Sequence, residues 1–530
     1  MHDSEFEATP CQPEPWHIPA AAHGAIALLI LAVTCASLHF FYTQGLSNLS
    51  GDGLAHMESA RRLFDSLTPG YEEIGTVWLP LYHLICAPLV LNDFLWRSGL
   101  AGGLVSSMAF ALTAYLLFRL GAEMNRNLAA GLVALAGALL SPSLLYLAST
   151  PLTEPLALMW LVLVAYALFR YSQSGSWKSL VGAAVAALMG TLTRYEGWNI
   201  LPFAVLLVFF LYPYPWRQRL LRAVFFAGVA ITGPLLWLIH NAHRFNNPLE
   251  FYNGRGSARE IYLHQVATTA FAYPTDGSVL LSMRYYLEDL KLVIGVWALE
   301  LAVLGLVAWC AGLHESRRRA VAGLFIIPLP FYIQAMAHAA IPLYVPTLFP
   351  HAYYNLRYGA EMIAAVALFP SFILSQRLGK ALRIAVLAAI VAVLAVQFVQ
   401  LTKHGASEMP LVKEGILNTP CRAPRQKAII DFLRSHYDGK RLLVAVGKWP
   451  CLEPQLGINF RNTITNLNRP YWFKMQTEPA QWAGWIIRSD GDAVDGLMQT
   501  YPQAFTDFDV ADQGTYPGEG SFTIYQLRKK

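Results

Sequence analysis

Residues 18–42 read IPAAAHGAIALLILAVTCASLHFFY, and residues 50–62, a few positions on, read SGDGLAHMESARR. The first stretch holds no Asp, Glu, Lys or Arg. An apolar run of roughly 17–25 residues lets a helix cross a hydrocarbon core about 30 Å thick. The second stretch puts a carboxylate, Asp52, just beyond the end of that helix. Leu54, Met57, Arg61 and Phe64 follow at helical spacing, so Asp52 opens a short amphipathic helix with His56 one turn beyond it. Residues 1–17 lack the basic segment of a signal peptide, and no cleavage site follows the run. The first run is therefore expected to be a retained span behind an N-terminal tail.

Similar runs recur as far as residue 401, giving about eleven candidate helices: 18–42, 98–118, 128–148, 152–169, 179–193, 198–213, 223–241, 290–313, 320–336, 359–375 and 384–401. The fifth and sixth are short, which suits tilting or displacement by a functional loop. Composition agrees: 55% of the 530 residues are hydrophobic and 14% charged, against about 25% charged in soluble domains. Mean hydropathy is +0.39. The expected fold class is a polytopic α-helical membrane protein in contact with membrane lipids. A net charge of +5 is too mild to imply a nucleic-acid partner. No internal repeat and no low-complexity stretch is present.

The turns between runs alternate in character. Residues 119–127, 170–178, 214–222, 314–319 and 377–383 together hold 13 Lys/Arg against two acids, Glu123 and Glu315. Lys/Arg excess in short loops marks the cytoplasmic side. The N-terminal tail, 1–17, is then cytoplasmic, the loops 42–97, 242–291 and 337–361 are outside, and so is everything after residue 401. Residues 402–530 read differently from the rest. Residues 428–436 are patterned as a helix, and 441–446, 485–488 and 521–527 as strands, which together predict a small outer α/β domain. Cys421 and Cys451 in this tail either pair, if it lies in an oxidising compartment, or stay free thiols. The six cysteines form no metal-ligand cluster.

Ionisable residues at a membrane boundary are costly unless they work or pair. Asp52 is one; as bland a role as helix capping fits it too. His83, in the aromatic stretch 75–83, reads as a packing residue among interfacial anchors. Glu154, in Thr150-Pro151-Leu152-Thr153-Glu154-Pro155, is either a helix start or a second working carboxylate. Arg194 and Glu196, in Thr193-Arg194-Tyr195-Glu196-Gly197, stand two apart; on a helix they would not share a face, so different partners are expected, with a local ion pair as the alternative. Arg255 and Arg259, in a Gly-rich stretch of 242–291, suit an anionic head group. Arg357, between Tyr354 and Tyr358, is the only Lys or Arg in 337–361 and suits a phosphate beside a sugar ring. An aromatic-belt anchor with a snorkelling arginine is the alternative.

These residues, in this order, resemble the GT-C superfamily of membrane glycosyltransferases, especially bacterial relatives of the protein mannosyltransferases (glycosyltransferase family 39). Asp52 occupies the place of the family's acidic residue after the first span. Trp78-Leu79-Pro80-Leu81-Tyr82-His83 resembles its Pro-Pro-Leu-Tyr-type segment, and Thr153-Glu154-Pro155 its later acidic turn. Thr193-Arg194-Tyr195-Glu196-Gly197 resembles its Thr-Arg-Pro-Glu-Gly element, and Asn355-Leu356-Arg357-Tyr358 its late Arg-Tyr element. The likeness covers about 15–400 and leaves the tail unexplained. Asp52 is followed by Gly53 where the family often has a second acid, and Tyr195 stands where it often has Pro.

The resemblance implies transfer of one sugar, with inversion, from a polyprenyl-phosphate donor to an acceptor hydroxyl on a lipid, glycan or protein, at the outer face of a bacterial inner membrane. Asp52 would be the base. Glu154 would position the acceptor or hold an optional divalent cation. Arg357 with Arg255 or Arg259 would meet the leaving phosphate. His56, Arg194, Glu196, Tyr354 and Tyr358 would shape the substrate pocket. The rival readings are a lipid or glycolipid flippase and a non-catalytic membrane scaffold. Transporters tend to show repeats and mid-membrane polar breaks, and a scaffold leaves Asp52, Glu154 and Arg357 without a shared role.

Overall fold

Within a bilayer every backbone polar group must be satisfied internally, so apolar runs of this kind fold as helices. The computed structural model describes residues 17–254, 256–269, 271–313, 316–374 and 378–528. Among them, six helices are long and apolar enough to cross a membrane: Ala20–Thr43, Leu100–Asn125, Glu154–Ser174, Trp216–Phe245, Arg317–Ala337 and Lys380–Thr402. A seventh candidate is a pair, Val279–Val293 and Val296–Gly312, bent by 111°. Leu128–Leu139, Trp177–Thr191 and Glu196–Leu211 are apolar but only 12, 15 and 16 residues long. The chain is a multi-pass membrane protein. Only 22% of the apolar window of Ala20–Thr43 and 17% of that of Lys380–Thr402 is buried, and helices so apolar on a bare face require lipid beside them.

The departures from eleven simple runs have local causes. Residues 128–148 split at Ser141, whose side chain caps Pro142–Leu147, with Pro142 in a first turn where its missing N–H costs nothing. Residues 359–375 break into Arg357–Ala360, Ile363–Leu368 and the 3₁₀ turn Phe369–Ile373, which carries Pro370. Residues 290–313 are not one straight span, because the bend falls at 294–295. There Gln397 Oε1 accepts the Trp297 N–H at 3.0 Å.

Helix Glu154–Ser174 is about 30 Å long and separates two kinds of chemistry. At its Arg170 end, Glu123 pairs with Arg119 at 2.6 Å and with Arg170 at 3.3 Å. Arg222 donates to the Gly175 carbonyl there at 2.8 Å. At its Glu154 end meet the segments that carry Asp52, Arg194 and Arg357.

The C-terminal region forms a five-stranded sheet: β1 (Leu442–Leu443), β2 (Thr463–Ile464), β3 (Trp485–Ser489), β4 (Phe508–Tyr516) and β5 (Gly520–Leu527), in the order β2-β1-β3-β5-β4. β1 runs parallel to β2 and β3, and β5 antiparallel to β3 and β4. Period-2 alternation feeds two cores. Leu442, Trp485, Ile487 and Ile524 face helix Pro424–His436, while Leu443, Ile464 and Ile486 face helix Ala493–Thr500. Leu54, three residues from the start of the Asp52 helix, inserts into the first of these cores. Burying such a side chain contributes about 1.5–3 kcal/mol, which fixes the sheet region against the segment 50–62. Arg461 Nε adds an ion pair to Asp65 at 2.9 Å, and Asn468 Nδ2 donates to Glu73 Oε1 at 3.0 Å. Cys421 and Cys451 are disulfide-bonded, with Cα atoms 5.6 Å apart.

Candidate active site

Helix Gly51–Arg62 is capped by Ser50, whose hydroxyl accepts the Gly53 N–H. Asp52 is therefore not the cap; it stands in the first turn with its side chain 39% exposed. Two glycines bring a second carboxylate to it. A Cβ at Gly53 would lie 2.9 Å from Pro151 Cγ, and one at Gly102 2.6 Å from Pro151 Cα. Only without side chains there does the 150–154 turn fit beneath the Asp52 helix. Glu154 follows in the first turn of Glu154–Ser174, so its role as helix start and its place in the site coincide.

Two arginines join the carboxylates. Arg357 donates to Asp52 Oδ2 and also lies 3.2 Å from Glu154 Oε1. Arg194 reaches the same Glu154 Oε1 at 2.7 Å, donates to Thr153 Oγ1 at 2.9 Å and lies 3.5 Å from Glu361 Oε1. Arg194 also donates from both Nε and Nη2 to Glu196 Oε1, at 2.9 and 2.7 Å. Arg194 and Glu196 thus bond each other, against the expectation of different partners. Arg194 sits in the break between Trp177–Thr191 and Glu196–Leu211 and Glu196 opens the second helix, so helix-face spacing does not apply to the pair. Tyr332 donates its hydroxyl to Glu196. The Tyr358 ring stacks on Tyr332, centroids 4.9 Å apart, with both guanidiniums within 6 Å of its centre. Glu154 is 1% exposed, and removing one partner from such a buried set leaves uncompensated charge.

A cavity of about 370 Å³ opens over Asp52. Trp78, Tyr354 and Arg357 line it beside Asp52; Glu414 and Lys448 line it from the C-terminal region. Glu414 Oε1 accepts the Asn355 N–H at 2.7 Å, and its Oε2 the Leu356 N–H at 2.9 Å. That grip sets the backbone ahead of Arg357. Burial pushes the Glu414 carboxyl up, against the pull of Arg357 and the two N–H donors.

The other expected residues fall elsewhere. His56 is 2% exposed and lies behind the cavity wall, its Nδ1 2.9 Å from His83 Nε2 and its ring against Trp78. Burial first, and the arginines 357 and 194 second, hold its imidazole down to about 3. It packs against Trp78, which lines the cavity, and does not line it itself. Arg259 does not line the cavity; its partner is the Tyr252 hydroxyl at 3.3 Å. It lies on Ala258–Thr269, a helix of the 242–291 segment. Arg255 lies outside the described residues. Tyr332, Glu361, Glu414 and Lys448 do not stand out in the sequence. Glu361 alone carries a signal there, a carboxylate entering an apolar run; the others sit in unremarkable contexts.

The set does not suit a divalent cation. Glu154 Oε1 is held by two arginines, and among the described residues no group of three His, Cys, Asp or Glu side chains is placed to hold a metal ion.

No protein-family model matches the chain, and no curated protein matches it. Among solved structures, ArnT from Cupriavidus metallidurans bound to undecaprenyl phosphate is similar over 96% of this chain and 98% of its own, at 15% identity and a TM-score of 0.51. ArnT from the same organism in the apo state is similar over the same shares, at 14% identity and a TM-score of 0.53. The chain has the fold of the GT-C membrane glycosyltransferases.

Proposed function

We propose that this protein transfers a sugar from a polyprenyl-phosphate donor to an acceptor hydroxyl at the outer face of the membrane, with inversion. The observation that carries the reading is Asp52: a carboxylate open to a cavity of about 370 Å³ and bonded to Arg357, which also meets buried Glu154. The ArnT structure with undecaprenyl phosphate supports a lipid-phosphate donor, since a fold that admits such a lipid in one protein has room for it in another.

In this mechanism the acceptor hydroxyl gives its proton to Asp52 as its oxygen attacks the anomeric carbon. The bond from that carbon to the phosphate oxygen breaks, and the phosphate leaves with the electron pair. General-base help of this kind is worth about 10²–10⁴-fold. Arg357 orients Asp52 and faces the departing phosphate. Glu154 holds Arg357 in place, and Arg194, with Glu196, Tyr332 and Tyr358 packed around it, holds Glu154 from behind the cavity. The basic turns at the opposite end of the helices support a cytoplasmic N-terminus, and the Cys421–Cys451 disulfide suits an oxidising compartment for the C-terminal sheet.

The test is incubation of the purified protein, in proteoliposomes, with polyprenyl-phosphate sugars and with nucleotide sugars. Consumption of the lipid-linked donor alone is expected. Use of nucleotide sugars, or movement of lipid across the bilayer without sugar transfer, would overturn it.

A further inference from the structure

The charges around the cavity do not balance in favour of a phosphate. Arg194 and Arg357 serve four carboxyls, those of Asp52, Glu154, Glu196 and Glu361. Arg357 in particular divides its guanidinium between two of them. A phosphate entering beside Asp52 would meet a cation already committed, so a further positive charge must face it.

One is present, and it comes from the C-terminal region. Lys448 lines the cavity with Asp52 and Arg357. Among the described residues its ammonium makes no hydrogen bond and has no carboxylate within 4.0 Å. Burial first and Arg425 second lower its ammonium, and the acids that attract it, Asp492 and Asp490, act from beyond that distance. The turn that presents it is built. The Lys448 N–H donates to the Ala445 carbonyl at 3.3 Å, and Gly447 takes a φ of 67°, which strongly favours glycine. Val446 N–H donates to Asn466 Oδ1 at 3.0 Å. Three residues on, the disulfide ties Cys451 to Cys421, whose neighbour Pro420 also lines the cavity and packs on Gly51. A lysine held at a cavity wall with its charge unspent is a point-charge binder for an anionic oxygen group.

We propose that Lys448 is a second phosphate-binding cation of this cavity, beside Arg357 and supplied by the C-terminal sheet region. The proposal rests on the reading of the cavity as the place where a sugar phosphate reacts. It also gives the sheet region a function, since without that region the cavity has no uncommitted cation among the described residues. The phosphate belongs either to the lipid donor or to a phosphorylated acceptor.

The test is equilibrium binding to the full-length protein in nanodiscs, with wild type, Lys448→Ala and Lys448→Arg. The probes are a fluorescent polyprenyl phosphate, the matching polyprenol, and a hexose phosphate as soluble competitor. Expected is about a tenfold loss of affinity for a phosphate probe in Lys448→Ala, recovery in Lys448→Arg, and unchanged polyprenol binding. Loss confined to the polyprenyl phosphate assigns the donor; loss confined to the hexose phosphate assigns the acceptor. Equal affinity of wild type and Lys448→Ala for both phosphates would overturn the proposal. So would an equal loss for polyprenol, which has no phosphate. The assay needs no turnover. A protein that transfers no sugar yet loses phosphate affinity in Lys448→Ala keeps this inference and loses the glycosyltransfer reading; transfer with unaltered affinity does the reverse.

Discussion

Arg357 stands between two carboxylates, donating to Asp52 Oδ2 while its Nε lies 3.2 Å from Glu154 Oε1. The residue that would face the leaving phosphate and the residue that would take the acceptor proton are therefore in direct contact, and Glu154 anchors them from beneath. Glu154 itself is almost wholly buried and shared with Arg194, so in the proposed mechanism it acts through the arginines.

Glu154→Gln removes the anion common to Arg194 and Arg357. Breaking one partner out of a buried ion set costs about 3–5 kcal/mol. The expected outcome is a lower unfolding temperature in detergent together with reduced turnover, measured by a thermal scan and a donor-consumption assay on the same sample. Full stability with normal turnover would remove Glu154 from the anchoring role.

His56 gives a pH prediction. Burial holds its folded-state value down to about 3, below the ordinary 6.5. In the unfolded chain it gains a proton as pH falls through 6.5, while in the folded protein it stays neutral down to about 3. The stability tied to its neutrality is thus full above 6.5 and lost progressively between 6.5 and 3. His83, pushed down chiefly by burial and next by His56, adds to the same slope. A His56→Gln variant should show a shallower loss of unfolding temperature over that window, while its turnover at neutral pH and above stays near wild type. A slope identical to wild type would contradict the assignment.

Glu453 bends the other limb. It is buried beside Glu58, and burial first, Glu58 second, raise its carboxyl to about 8 from 4.5. A raised folded-state value means the contribution is full below 4.5 and is lost as pH rises through about 8. Glu453→Gln, which keeps the shape without the charge, should therefore unfold at a higher temperature than wild type at about pH 8–9 and lose that advantage near about pH 5. No gain on the alkaline side would show that the carboxyl ionises freely in the folded protein.

The Cys421–Cys451 bond closes a segment with a sequence separation of 30. A cross-link of that span contributes on the order of 3 kcal/mol in the chain-entropy model. Reduction, or the paired Cys421→Ser/Cys451→Ser change, should lower the unfolding temperature and weaken phosphate-probe binding together, because both ends border residues that line the cavity. Weaker folding with unchanged probe affinity would separate the bond from the cavity.

The legible part of the site is the part that breaks membrane rules. Asp52, Glu154, Arg194, Glu196 and Arg357 are charges placed at the ends of apolar runs, and such charges need a reason. Their convergence is not legible, because it depends on Pro151 fitting under Gly53 and Gly102, a contact no spacing encodes. His56 shares its helix with Asp52, but a helix has a back, and His83 waits there. Glu414 sits in Pro410–Asn418 and Lys448 in a turn of the sheet region, both far from the motifs in sequence and ordinary in composition. In the sheet, β3 and β5 show apolar character, whereas β2 has two residues and β4 is an exposed edge strand with Asp509, Asp512 and Gln513. Edge strands carry polar residues to discourage pairing with other chains, which hides their alternation. The helical runs are legible by hydropathy, but the bend at 294–295 is not, since it falls inside the apolar run 290–313.

The most direct measurement is the single-turnover rate of sugar transfer from a polyprenyl-phosphate sugar by wild type and Asp52→Asn, each shown to be folded and to bind the polyprenyl phosphate. The expected result is intact binding with a rate lowered by about 10²–10⁴-fold in the asparagine variant. Wild-type rates in Asp52→Asn would contradict the assignment of Asp52 as the base and move the chemistry away from this cavity.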